Sequence, residues 1–271
     1  MTTTVEELYG DFWGRVDPEF QEAFGTSLKP RGADMLYDVF AGFGVGTDDT
    51  VLDAGCRDAI YAVELVRRFG CRAVAIDPVP LHIERAHRRV AEAGLADRIT
   101  VHQARMEDMP IESGSIAAIW CRDVLNHVNL PASLAECHRV LVPGGRMLVY
   151  QTFATDKMEL REAARLYTAL AMVPENMSPT TFEGTARQVG FVIEQRDPID
   201  SEWRERWIED GDHQMLEDLL QVARMRRREE DLVQRFGRER YEAELAGAVW
   251  GIYQMLGKLC PTVYVLRKPG E

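Results

Sequence analysis

Long apolar runs are missing from this 271-residue chain. No stretch approaches the roughly 18 consecutive apolar residues of a membrane helix, so a membrane-embedded protein is not expected. Cysteine is scarce and unpatterned. Cys56, Cys71, Cys121, Cys137 and Cys260 are odd in number and form no C-x-x-C pair, which argues against a disulfide framework or zinc site and for a reducing compartment. Positive charge is also short. The 32 Lys and Arg against 44 Asp and Glu leave a formal charge of −12, a sign that repels phosphate backbones and anionic membranes. Nucleic acid is therefore not an expected partner. The opening MTTTVEELYGDFWGRV has early acids and no apolar core, unlike a signal peptide. A cytoplasmic location is expected.

What is present is a pattern of alternating elements. Short apolar runs that read as buried strands lie at 50–54, 73–77, 99–102, 116–121 and 146–150, with helical spacing at 59–69, 80–93 and 131–141 between them. Strands alternating with helices of this length predict βαβ units, and continuous apolar strands predict helices on both faces of a parallel sheet. Two further strands are expected near 191–195 and 262–266. The predicted fold is therefore α/β: a doubly wound, mostly parallel seven-stranded sheet with a helical cap. Residues 1–45 are read as N-terminal cap helices, and 46–200 with 257–271 as the ligand-binding domain. Residues 201–256 are a helical insert, serving as a cap or as a homodimer surface. The basic run Arg224, Arg226, Arg227 and Arg228 meets Glu229, Glu230 and Asp231 at pairing distance along a helix, and reads as a solvated face.

The first strand ends at Asp53 and turns through Ala54-Gly55-Cys56-Arg57 into a helix. In a doubly wound sheet, ligands bind at the carboxyl ends of strands beside the point where strand order reverses. A glycine there lets the backbone approach a ligand. The next strand ends at Asp77, placed to accept hydrogen bonds from ribose hydroxyls. A dinucleotide would use the same acid, but G-x-G-x-x-G is absent because only Gly55 occupies the turn.

Four segments occur in order: VLDAGCRDA, AIDPVP, ARMEDMPIESGSIAAIWCRDVLNHV and ECHRVLVPGGRMLVY. Over 51–151 the chain resembles the class I S-adenosylmethionine-dependent methyltransferases, in particular those acting on small molecules. The resemblance implies S-adenosyl-L-methionine as cofactor. It implies that Asp53, Gly55 and Cys56 surround the methionine part and that Asp77, with Pro78 beside it, holds the ribose. Met106 and Glu107 match the adenine position, and Cys121 and Arg122 the sulfonium region. Three departures stand out. Arg57 and Ala59 replace glycines usual in the family, and Arg105 replaces an acid. A guanidinium at Arg57 could clamp the cofactor's carboxylate, or pair with Asp58.

Methyl transfer from a sulfonium chiefly requires alignment of nucleophile, methyl and sulfur. A hydroxyl or protonated amine must also lose a proton, which calls for a base. Asp123 and His127 share one face if their segment is helical, and are the catalytic candidates, with His127 as base or positioning group. Asn126 is where relatives often carry Glu, and it is assigned to the acceptor with Trp13 and Phe153. His82, His87, His102 and His138 are read as structural, and no metal site is expected. The expected activity is methyl transfer to O, N, C or S of a small molecule. The alternatives are a non-methylating use of the same cofactor and a non-catalytic cofactor-binding module.

Overall fold

The computed structural model describes residues 3–15 and 17–270. Seven strands form one sheet: β1 (Thr50–Ala54), β2 (Arg72–Asp77), β3 (Ile99–Gln103), β4 (Ile116–Arg122), β5 (Leu141–Ala154), β6 (Val192–Pro198) and β7 (Leu259–Arg267). Their order is β3-β2-β1-β4-β5-β7-β6. Strands β1 to β5 pair in parallel, and β7 runs antiparallel to both its neighbours. The chain winds outward from β1 to β3, then returns to place β4 on the other side of β1. Winding reverses between those two strands, and their carboxyl ends open a crevice there.

Side-chain alternation divides the core into two layers. On one face Val51, Trp120, Leu148 and Val263 pack with Phe40 and the helix Ile60–Phe69. On the other, Leu52, Ile119, Cys121, Val149 and Phe153 pack with Phe182 and Tyr264. Burying each large apolar side chain contributes about 1.5–3 kcal/mol, so these layers hold the sheet's upper edge fixed.

The chain divides into two compact units, residues 1–31 and 32–271. The expected boundary at 45 is thus displaced. The helix Met35–Ala41 belongs to the sheet's unit because Leu36 and Phe40 are fully buried in its core, Phe40 against Phe69 and Trp120. The N-terminal unit holds a π-helical turn, Glu7–Phe12, and a helix, Pro18–Gly25, whose first turn is capped by the Asp17 carboxylate accepting from Phe20 N–H. The segment 201–256 folds as helices within the larger unit, and its Trp203 stacks on Tyr150 of β5 at 4.4 Å. Among the described residues no helix is long and apolar enough to cross a membrane.

Candidate active site

The turn after β1 is built by its ties to β2. Gly55 takes φ +76, and a Cβ there would lie 2.3 Å from Val124 Cγ2, so only glycine fits beneath that side chain. The N–H groups of Gly55 and Cys56 both donate to the Ile76 carbonyl, at 2.9 and 2.8 Å. Arg57 N–H donates to Asp77 Oδ2 at 3.0 Å. Arg57 and Ala59 occupy left-handed backbone, φ 51 and 59, which costs an L-residue roughly 1–2 kcal/mol. The loop therefore keeps a glycine-like path at both positions where glycine is missing.

Asp77 is a nearly full acceptor. Its Oδ1 takes Val79 N–H at 2.9 Å and lies 3.0 Å from His82 Nδ1. A carboxylate offers about four acceptor positions, so one remains, on Oδ2. Above it lies a crevice of about 590 Å³, lined by Gly55, Arg57, Asp77, Pro78, Met106, Glu107 and Arg122 among others. That volume is within the roughly 300–1,000 Å³ of small-molecule sites. Asp58, the alternative partner for Arg57, is in salt-bridge contact with Arg89, and the Arg57 charge acts on it only at longer range. The Arg57 guanidinium has no ion-pair partner among the described residues. Arg122 is fixed differently: it donates to the Tyr61 hydroxyl and lies 5.0 Å from the Tyr61 ring and 5.4 Å from those of Tyr150 and Trp203.

Four of the expected site residues in the larger unit lie outside the crevice lining. Asp53 is 1% exposed, and its Oδ2 accepts Ala62 N–H at 3.0 Å, capping the next helix from below the crevice. Burial pushes its carboxyl up to about 7. Cys56 is buried, and burial likewise pushes its thiol up; the turn reaches the crevice through Gly55 and Arg57. Cys121 and Phe153 point to the opposite face of the sheet from Trp120 and Arg122, as strand alternation requires, and are core. Phe153 packs against Phe182 and Tyr264. Trp13 belongs to the N-terminal unit, where it meets Tyr9 edge-on.

Asp123 and His127 do line the same crevice. Asp123 takes φ 50 just past β4, and its Oδ1 accepts the N–H and hydroxyl of Thr152 at 3.1 and 3.0 Å. Burial raises its carboxyl, opposed by Thr152 and Arg122. His127 ends a short 3-10 turn, Leu125–His127. Its Nδ1 lies 3.1 Å from the Ala171 carbonyl, which can only accept, so in the neutral ring Nδ1 carries the proton and Nε2 the lone pair. Both residues line the crevice and also a neighbouring hollow of about 220 Å³, with Asn126, Leu170, Met172 and Trp250. Asn126 is 1% exposed. Its Nδ2 donates to the Thr152 carbonyl and to Met177 Sδ, both 3.1 Å away, while Oδ1 has no partner among the described residues. A buried, unpaired acceptor costs about 1–3 kcal/mol.

Among the crevice residues that were not expected are two with polar side chains, Tyr61 and His82. His82 stands in the first turn of the helix Pro80–Glu92, close behind Asp77 in sequence; that proximity to an acid at a strand end was the available signal. Tyr61 had none, since its partner Arg122 is distant in the chain. Among the described residues no group of three or more His, Cys, Asp and Glu could hold a metal ion.

A family model described as a methyltransferase domain matches residues 51–145. Dimethylglycine N-methyltransferase of Parasynechococcus marenigrum is 30% identical over 197 residues, covering 70% of this chain and 69% of that protein. Geranyl diphosphate 2-C-methyltransferase of Streptomyces lasalocidi is 35% identical over 119 residues, covering 44% of this chain and 39% of that one. The chain thus spans about two fifths of the length of that relative. The crystal structure of geranyl diphosphate C-methyltransferase from Streptomyces coelicolor, with Mg2+, geranyl diphosphate and S-adenosyl-L-homocysteine, shares the fold. It superposes with a TM-score of 0.64 at 17% identity, over 87% of this chain and 79% of that one.

Proposed function

The chain belongs to the class I S-adenosylmethionine-dependent methyltransferases, and we propose that it transfers a methyl group from that cofactor to a small-molecule acceptor. The observation that carries this is the sharing of Asp123 and His127 between a crevice of about 590 Å³ and a hollow of about 220 Å³. A cofactor in the first and an acceptor in the second would meet at those two side chains.

The crevice suits the cofactor by its own chemistry. The free acceptor position on Asp77 faces a ribose hydroxyl, Pro78 and Met106 flank the adenine, and Glu107 meets its amino group. The unpaired Arg57 guanidinium takes the carboxylate in a charge-assisted bond worth roughly 1.5–3 kcal/mol. When bound, the cofactor supplies an electrophilic methyl on a good leaving group. The protein then has to align the acceptor, exclude water and remove a proton. His127 Nε2 is the base, with Asp123 beside it holding the Thr152 backbone in place.

The five cysteines are all free, which supports the cytoplasmic location. The charge of −12 supports a small molecule over nucleic acid as substrate. Leu216, Leu219 and Leu220 are exposed on the helix Gln214–Arg227, and we assign them to a homodimer surface; light scattering on the purified chain tests it, with a monomer mass contradicting it. The activity is tested by incubation with S-adenosylmethionine and a panel of amines, alcohols, thiols and activated carbon acids. Mass spectrometry should find one acceptor heavier by a CH2 unit. Cofactor binding with no transfer to any panel member would favour a non-catalytic module.

A further inference from the structure

We propose that the hollow beside the crevice is an amine site: its ligand is a small amine on an apolar body, free of carboxylate and phosphate. This rests on the methyltransfer reading and names the class of its acceptor. The hollow's volume of about 220 Å³ is below the roughly 300–1,000 Å³ of drug-sized sites, which limits the body to a small one. Leu170, Met172 and Trp250 supply its apolar wall.

Three polar side chains on that wall present acceptors, and the one donor left among its described lining residues is the Trp250 indole N–H. Asp123 has Oδ1 engaged by Thr152 and Oδ2 left over. Asn126, a lining residue, has both its donors directed to the Thr152 carbonyl and Met177 Sδ, and its Oδ1, itself buried, has no partner among the described residues. His127 gives its Nδ1 proton to Ala171 and keeps the Nε2 lone pair. A ligand must therefore donate. An ammonium brings up to three N–H groups and a charge that suits both the Asp123 carboxylate and the face of the Trp250 indole. A hydroxyl brings one. A carboxylate or phosphate brings none and is repelled by Asp123. Among the described residues no Lys or Arg lines the hollow; Arg122 lines the crevice, with its guanidinium over three rings.

The chemistry balances on these groups. The ammonium gives one proton to His127 Nε2, and the nitrogen lone pair so freed forms the new N–C bond. The methyl's bond to sulfur breaks with its electron pair left on sulfur, and the methylated ammonium departs.

The test is calorimetry on the full chain saturated with S-adenosylhomocysteine, using 2-phenylethylamine, 2-phenylethanol and 3-phenylpropanoate. The amine should bind one to one, roughly tenfold or more tighter than the alcohol, with no binding of the carboxylate. Asn126→Leu and Trp250→Ala should each weaken the amine about tenfold and leave S-adenosylhomocysteine affinity unchanged. Binding of the carboxylate or alcohol as tight as the amine, or no amine binding by protein that holds S-adenosylhomocysteine, overturns the amine assignment alone. Failure of S-adenosylhomocysteine itself to bind overturns this assignment and the methyltransfer reading together.

Discussion

Asp77 Oδ2 accepts the backbone N–H of Arg57 at 3.0 Å, so the acid that ends β2 also shapes the turn that leaves β1. The same carboxylate serves the crevice and its scaffold. The Arg57 guanidinium, by contrast, has no hydrogen-bond or ion-pair partner among the described residues, and the two residues separate experimentally for that reason.

Arg57→Ala should weaken S-adenosylhomocysteine binding by about 1.5–3 kcal/mol, the worth of a charge-assisted hydrogen bond. Adenosine, which lacks the carboxylate, should bind wild type and variant alike. The thermal midpoint should not move. Equal losses for both ligands would place Arg57 elsewhere.

His127→Ala should lower turnover by roughly 10²–10⁴, the usual contribution of a positioned base. Because His127 is exposed and lines both cavities, added imidazole should restore part of the rate. A variant with full turnover, or one that imidazole leaves unchanged, would assign His127 to packing.

Asp53 gives the pH dependence of folding. Burial holds its folded carboxyl near 7, against 3.8 for the ordinary group. Between those values the folded state binds the extra proton, so stability is fully present below about 4 and falls as pH rises to about 7. Asp53→Asn retains an oxygen for Ala62 N–H and carries no charge. It should match wild type near the acid end of that window and exceed it by a few kcal/mol beyond the alkaline end. Urea titrations at both ends read this out; parallel curves for the two proteins would refute it.

Much of this was legible in the sequence because it depends on local pattern. Continuous apolar strands such as Ala73–Ile76 announce a sheet covered on both faces, and Gly55 and Asp77 fall at strand ends where ligands bind. What failed depended on direction or distance. A strand's period shows that Cys121 and Arg122 point oppositely, but not which one faces the crevice. Leu36 and Phe40 share the spacing of Trp13, Phe20 and Phe24, yet only the first two enter the sheet's core. Tyr61, Tyr150 and Trp203 converge on Arg122 from three separate elements, a clustering that no local window contains. Trp250 reaches the smaller hollow from the insert in the same way.

The central claim is that the Gly55 turn and Asp77 together hold the cofactor. Calorimetric titration of wild type and Asp77→Ala with S-adenosylhomocysteine tests it most directly, with circular dichroism to establish that the variant, which also loses its bonds to Arg57 and Val79 N–H, is folded. Wild type should bind one equivalent, and the folded variant should bind more weakly by about 1–3 kcal/mol. No binding by wild type, or equal affinity in the folded variant, would contradict the account.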